Sequence, residues 1–150
     1  TMVGQSLGAK DPDRAERAVN IAAALNVAFL GGLGVLFILA APLIISAFGG
    51  DAETAGYAVR CLRIVSAGLL FYAWGMVVTQ SFNGAGDTWT PTLLNLACFW
   101  AFEIPLAFVL AHVLGWGPDG VFASIAIAYS VLAVWAALIF RRGKWKLVTV

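Results

Sequence analysis

"AVNIAAALNVAFLGGLGVLFILAAPLIISAFGG", Ala18–Gly50, contains no Asp, Glu, Lys or Arg. A helix needs about 20 predominantly apolar residues to cross a bilayer, and this run is longer than that. It has no strand-like alternation, and only helices or closed barrels can span lipid. Three further runs follow: Ile64–Gly86, Thr88–Pro118 interrupted only by Glu103, and Gly120–Phe140. A soluble core can hold one such helix, but not four in succession with almost nothing polar between them. The chain is therefore expected to be an all-α membrane protein. Its four transmembrane helices are placed at about 18–48, 62–83, 91–114 and 120–140.

Composition agrees. Of 150 residues, 61% are hydrophobic and 11% are charged, against about 45–50% and about 25% in an ordinary soluble domain. Mean hydropathy is +0.90. The net charge of +1 gives no bulk electrostatic case for nucleic acid. Cys61 and Cys98 lie in or beside apolar runs without a His/Cys cluster, so they read as buried free thiols and no metal site is expected. No basic segment precedes an apolar run at the start, so no signal peptide is read. The opening Thr-Met-Val-Gly-Gln reads as internal to a longer chain.

The boundaries carry helix signals. Asp11-Pro12 and Thr90-Pro91 each read as a cap followed by proline at the start of a helix. Gly49-Gly50, Gly84-Ala85-Gly86 and Gly115–Gly120 read as turns. Four spans put both ends on one side. That side carries Lys10, Arg14, Arg17, Arg141, Arg142, Lys144 and Lys146, whereas Arg60 and Arg63 lie on the other. Basic residues favour the cytoplasm, so both ends are expected there, in the plasma (inner) membrane. Trp89, Trp116 and Trp145 fall near the interfaces and read as anchors.

Small residues let helices approach in lipid. Ala123, Ala126, Ser130, Ala133 and Ala137 form one stripe. Gly68, Tyr72, Gly75 and Thr79 form another, and Ala28 with Gly32 a third pair in a Gly-rich run that can bend its helix. The stripe with Tyr72 and Thr79 suits either a substrate path or helix contacts.

Glu103 stands alone among apolar residues. With the third helix starting at Pro91, it lies about 18 Å along, near the middle of a hydrocarbon core about 30 Å thick. A charge there costs roughly 2.5–3.5 kcal/mol on insertion scales. Protonation, a polar partner or a wet cavity would lower that cost. On a regular helix Thr92 lies about 20° from Glu103 and Asn95 about 80°, which makes a weakly polar face. Pro105 removes one backbone hydrogen bond and is the candidate for a bend beside the acid. Glu103 is thus a candidate proton- or cation-coupling residue, with Thr92, Asn95, Tyr72 and Thr79 as candidate cavity-lining residues. The alternative is a glutamate held by a hydrogen bond between helices.

Enzyme signatures are lacking. Gly115–Gly120 matches G-x-G-x-x-G, but a membrane helix precedes it and Pro118 occupies the turn. Neither Gly8-Ala9-Lys10-Asp11 nor Gly84-Ala85-Gly86-Asp87 continues into Lys-Ser/Thr. His112, the one histidine, has no nucleophile beside it and reads as interfacial. The segments Gln5–Asp11 and Gln80–Asp87 resemble each other with one residue inserted, as in a faint internal repeat or, equally, through shared turn chemistry.

Five segments together resemble the multidrug and toxic compound extrusion (MATE) family: "VGQSLGAKDPDRAERAV" (Val3–Val19), "QSFNGAGDTWTP" (Gln80–Pro91), "EIPLAFVLA" (Glu103–Ala111), "GVFASIAIAY" (Gly120–Tyr129) and "FRRGKWK" (Phe140–Lys146). The resemblance implies a twelve-helix, two-lobe antiporter in which residues 1–150 are part of the C-terminal lobe, from the end of helix 8 through helix 12. It implies export of cationic, amphipathic, drug-like solutes in exchange for H⁺ or Na⁺, with no other cofactor. The implied partners are the lipid bilayer, small organic solutes, and the N-terminal lobe and helix 7 of the same transporter, with no nucleic acid. Some sodium-coupled members carry an acid in helix 10, but the equivalent Ile64–Phe82 has none. A flippase of lipid-linked or polysaccharide substrates, or a scaffold subunit, is the alternative. The absence of Lys and Arg from the four apolar runs Ala18–Gly50, Ile64–Gly86, Thr88–Pro118 and Gly120–Phe140 speaks against the first.

Overall fold

The computed structural model describes residues 1–143 and Trp145; the expectations for Lys144 and Lys146 lie outside the described residues. The order is α1 (Met2–Gly8), α2 (Pro12–Ser46), α3 (Ala52–Gly84), α4 (Trp89–Asn95), a π-helical segment π1 (Leu96–Glu103), α5 (Ile104–Phe108), a second π-helical segment π2 (Val109–Val113), and α6 (Pro118–Arg141). From α4 to π2 the chain is one continuous helix, Trp89–Val113. Four helices are therefore long and apolar enough to cross a membrane, and each contains one of the four expected spans almost entirely.

The exterior argues for lipid. Leu39, Leu43 and Phe29 are 74%, 75% and 71% exposed. Within the most apolar window of each spanning helix, only 17–28% of residues are buried. So large and contiguous an apolar surface is not tolerated by a water-soluble monomer.

Aspartates start the helices. The Asp11 carboxylate accepts from the Arg14 N–H at 2.9 Å, and Asp51 from the Thr54 N–H at 3.1 Å, the usual N-cap arrangement. Before α4, Asp87 takes this role rather than Thr90, accepting from both the Thr90 N–H and its hydroxyl. Pro91 accordingly sits third in its helix instead of first.

The likeness of Gln5–Asp11 to Gln80–Asp87 has its structural basis in shared turn chemistry. Asp11 N–H donates to the Ser6 carbonyl and Asp87 N–H to the Phe82 carbonyl, each at 2.9 Å. Lys10 and Gly86 precede them with φ of 58° and 86°. Both ends are thus left-handed C-caps followed by an aspartate that opens the next helix. The match is anchored on Gly-Ala-x-Asp, so the inserted residue lies further upstream. The two ends touch: a Cβ on Gly4 would lie 2.9 Å from the Gly84 carbonyl oxygen.

Small residues set the packing. α3 and α6 run parallel, with Gly68 against Ala126 and Gly75, two turns on, against Ala133; a Cβ on either glycine would come within 3.1 Å of the alanine Cα. The seven-residue step is that of left-handed helix pairs. α2 and α3 run antiparallel, with Gly31 against Leu70 and Gly34 against Ser66. The expected pair Ala28/Gly32 is not the contact. Both residues are exposed, and α2 passes through its Gly-rich run unbroken. The buried stripe Val19, Ala23, Gly31, Gly34 and Ala41 lies on another face. On α6 the deepest face is Ser124, Ala128, Leu132 and Ala136, adjacent to the expected alanine stripe.

Two side chains bridge α2 and α3. Asn26 Nδ2 donates to the Ala73 carbonyl at 2.9 Å. Arg63 Nε donates to the Ile38 carbonyl at 3.1 Å. That carbonyl lies four residues before Pro42, which has no N–H to offer it, so Arg63 supplies the missing donor from the neighbouring helix. At the same end Arg60 pairs with Asp119 at 3.0 Å and lies over the Tyr57 ring, tying α3 to the start of α6. Trp145 is not an exposed anchor. It is 2% exposed, stacks on Phe140 at 4.7 Å, and its indole N–H donates to the Phe140 carbonyl. Trp89 and Trp116 are exposed as expected.

Candidate functional site

A cleft opens where α3, α6 and the third spanning helix meet. It encloses about 170 Å³ and is lined by Tyr72, Met76, Thr79, Gln80, Asn95, Phe99 and Leu132. The Gly68–Thr79 stripe produces it. Gly68 and Gly75 draw α6 close to α3, and Tyr72 and Thr79, between and beyond them, line the opening.

Thr79 is the sharpest feature. The residue is 6% exposed, and its Oγ1 is buried without a hydrogen-bond partner among the described residues. A buried hydroxyl left unpaired costs about 1–3 kcal/mol. The cleft beside it exceeds the roughly 30 Å³ that a water occupies in the liquid, and Gln80 and Asn95 add further polar groups. The Gln80 carbonyl oxygen accepts from Asn83, which leaves its NH₂ free to donate elsewhere. The cleft thus suits water or a small polar guest.

Aromatic rings form its deeper wall. Tyr72 and Tyr129 lie 4.7 Å apart between ring centroids, and Phe99 meets Tyr129 edge-on at 6.0 Å. Tyr129 thus joins Phe99 to Tyr72 at the wall of the cleft. Glu103 is half-buried, and among the described residues its carboxylate makes no hydrogen bond or ion pair.

Of the expected lining residues, the structure brings Tyr72, Thr79 and Asn95 together and leaves Thr92 out. Thr92 is exposed, and its hydroxyl donates to the Thr88 carbonyl at 2.7 Å. Residues 96–103 form a π-helix, whose wider turn invalidates the projection at 100° per residue that set Thr92 beside Glu103. Pro105 sits at the start of α5, immediately past π1. What the structure shows there is this change of winding, from the π to the α register beside Glu103.

Tyr129 was missed from sequence. It lies three residues after Ala126 and four before Ala133, so the small-residue stripe of α6 already pointed to it. Gln80 and Phe99 carried no separate signal. No group of three metal-ligating side chains occurs among the described residues. Cys98 is buried, Cys61 half-buried, and both are free.

Four apolar spanning helices around an internal polar cleft define a multi-pass helical membrane protein. The chain belongs to the MatE family, whose model matches residues 1–109, as the five motifs implied. The probable multidrug resistance protein NorM of Caulobacter vibrioides is 32% identical over 97% of this chain and 31% of its own length. NorM of Rhodopseudomonas palustris is 32% identical over 89% of the chain and 30% of its own length. The probable multidrug resistance protein YoeA of Bacillus subtilis is 28% identical over 85% of the chain and 27% of its own length. The chain thus spans about three-tenths of the length of these relatives. No solved structure matches it significantly. The family is one of transporters, so the reading against an enzyme stands.

Proposed function

We propose that this chain is part of the C-terminal lobe of a secondary active antiporter that exports cationic, amphipathic, drug-like solutes in exchange for H⁺ or Na⁺. The observation that carries the proposal is the polar cleft at Tyr72, Thr79 and Asn95, in a bundle whose third spanning helix also carries the lone acid Glu103. An ionisable residue inside a membrane span is expensive, and such residues commonly mark ion pathways. Glu103 binds and releases the coupling cation, and the aromatic wall offers faces for a solute cation. The relatives' names, which speak of multidrug resistance, support the solute class. The remaining lobe and helix 7 complete the cavity. The basic side of the chain faces the cytoplasm of the inner membrane, in keeping with the distribution of Lys and Arg.

The test is Glu103→Gln in the intact protein. Efflux of a cationic dye driven by an imposed H⁺ or Na⁺ gradient should fall to background, while the amount of membrane-inserted protein stays unchanged. Efflux at the wild-type rate would leave Glu103 a structural residue and remove the coupling reading.

A further inference from the structure

We propose that the groove between the third spanning helix and α6, on the opposite side of the third helix from the polar cleft, binds one anionic phospholipid. The groove encloses about 360 Å³ and is lined by Thr90, Leu93, Leu94, Ala97, Trp135, Ile139 and Arg142. It shares no lining residue with the polar cleft, and it does not depend on Glu103 or on transport.

The order of its lining residues is that of a lipid. Thr90 and Arg142 stand at the rim, where α4 begins and α6 ends. Seven residues inward on each helix, about 10 Å deeper, the walls are Ala97 and Trp135, with Leu93, Leu94 and Ile139 between. Polarity therefore falls from rim to floor, as it does from headgroup to acyl chain. Trp135, Leu93 and Arg142 remain exposed, so the groove is open to the bilayer from the side.

Charge selects the headgroup. Arg142 is exposed at the end of α6, and no ion pair occupies it among the described residues. Its guanidinium presents a planar fork of donors suited to phosphate. Asp87, three residues before the rim residue Thr90, is engaged locally: its two oxygens accept from the Thr90 N–H and hydroxyl. Basic pockets between membrane helices at the cytoplasmic surface are a known physical basis for anionic headgroup binding.

The test uses the intact protein in detergent micelles containing equal phosphatidylglycerol and phosphatidylcholine, followed by native mass spectrometry. The expected result is at least fivefold preferential retention of phosphatidylglycerol. Arg142→Gln should abolish the preference, Arg142→Lys should keep part of it, and Arg141→Gln should leave it unchanged. Ala97→Phe, which fills the floor, should reduce retention with Arg142 intact. Equal retention of the two lipids, an equal loss in Arg141→Gln and Arg142→Gln, or undiminished retention in Ala97→Phe would each overturn the proposal. So would a photo-crosslinker at Leu93 that captures another polypeptide segment in place of lipid.

Discussion

Thr79 sets the physical problem of the cleft: a hydroxyl buried beside free volume with no partner among the described residues. Such a group weakens a fold unless something visits it. Thr79→Val keeps the shape and removes the orphan, so thermal unfolding in detergent should show equal or greater stability, by up to about 1 kcal/mol. Efflux should fall in the same variant, and Thr79→Ser should preserve both properties. A destabilised Thr79→Val would mean that the hydroxyl is already satisfied in the intact protein. A second residue-scale case is Arg63, whose bond to the Ile38 carbonyl fills the gap left by Pro42. Arg63→Met should cost about 1 kcal/mol, and almost nothing in a Pro42→Ala background, where residue 42 regains its own donor. Equal costs in both backgrounds would break that link. Neither case could be read from sequence. An unpaired hydroxyl and a borrowed donor exist only once two helices have met. Glu103 was legible because a lone acid among apolar residues needs no partner to stand out.

Helices were legible because lipid simplifies the code. A span must be long, apolar and bounded by caps, and the capping aspartates Asp11 and Asp51 stand in the chain for inspection. Hydrogen bonds from the Thr54 hydroxyl and N–H hold the Asp51 carboxyl below the usual carboxylate range. A depressed pKa means that the cap contributes fully above about pH 4 and loses its contribution as pH falls through the lower folded value. Packing faces were only partly legible. The α3 stripe at Gly68 and Gly75 was read correctly because glycines two turns apart are rare without a close neighbour. On α2, several glycines crowd into one turn, and sequence alone cannot say which of them faces the partner. Gly75→Leu should therefore destabilise the protein by about 1–3 kcal/mol. Gly32→Leu, which meets open space, should change little; thermal melts of the two variants side by side would check this. The π winding of the third spanning helix was invisible, because nothing in "LACFWAFE" differs from an α-helical pattern. It is also why the projection of Thr92 onto Glu103 fails.

At the scale of the molecule, two environments meet on one bundle. The outer surface is continuously apolar, with Leu39, Leu43 and Phe29 largely exposed, and the inner surface holds the cleft from Tyr72 to Asn95. MatE membership and the limited share of each relative's length that the chain covers fit an assembly in which further helices close the open side of the cleft. The central claim is that water reaches this cleft at membrane depth while lipid surrounds the rest. Cysteine accessibility in the intact protein tests it most directly, after Cys61→Ser and Cys98→Ser remove the native thiols. A small hydrophilic thiol reagent should label Tyr72→Cys and Asn95→Cys in membranes and leave Leu39→Cys untouched. Labelling of Leu39→Cys as fast as the other two, or no labelling at either cleft position, would contradict the account.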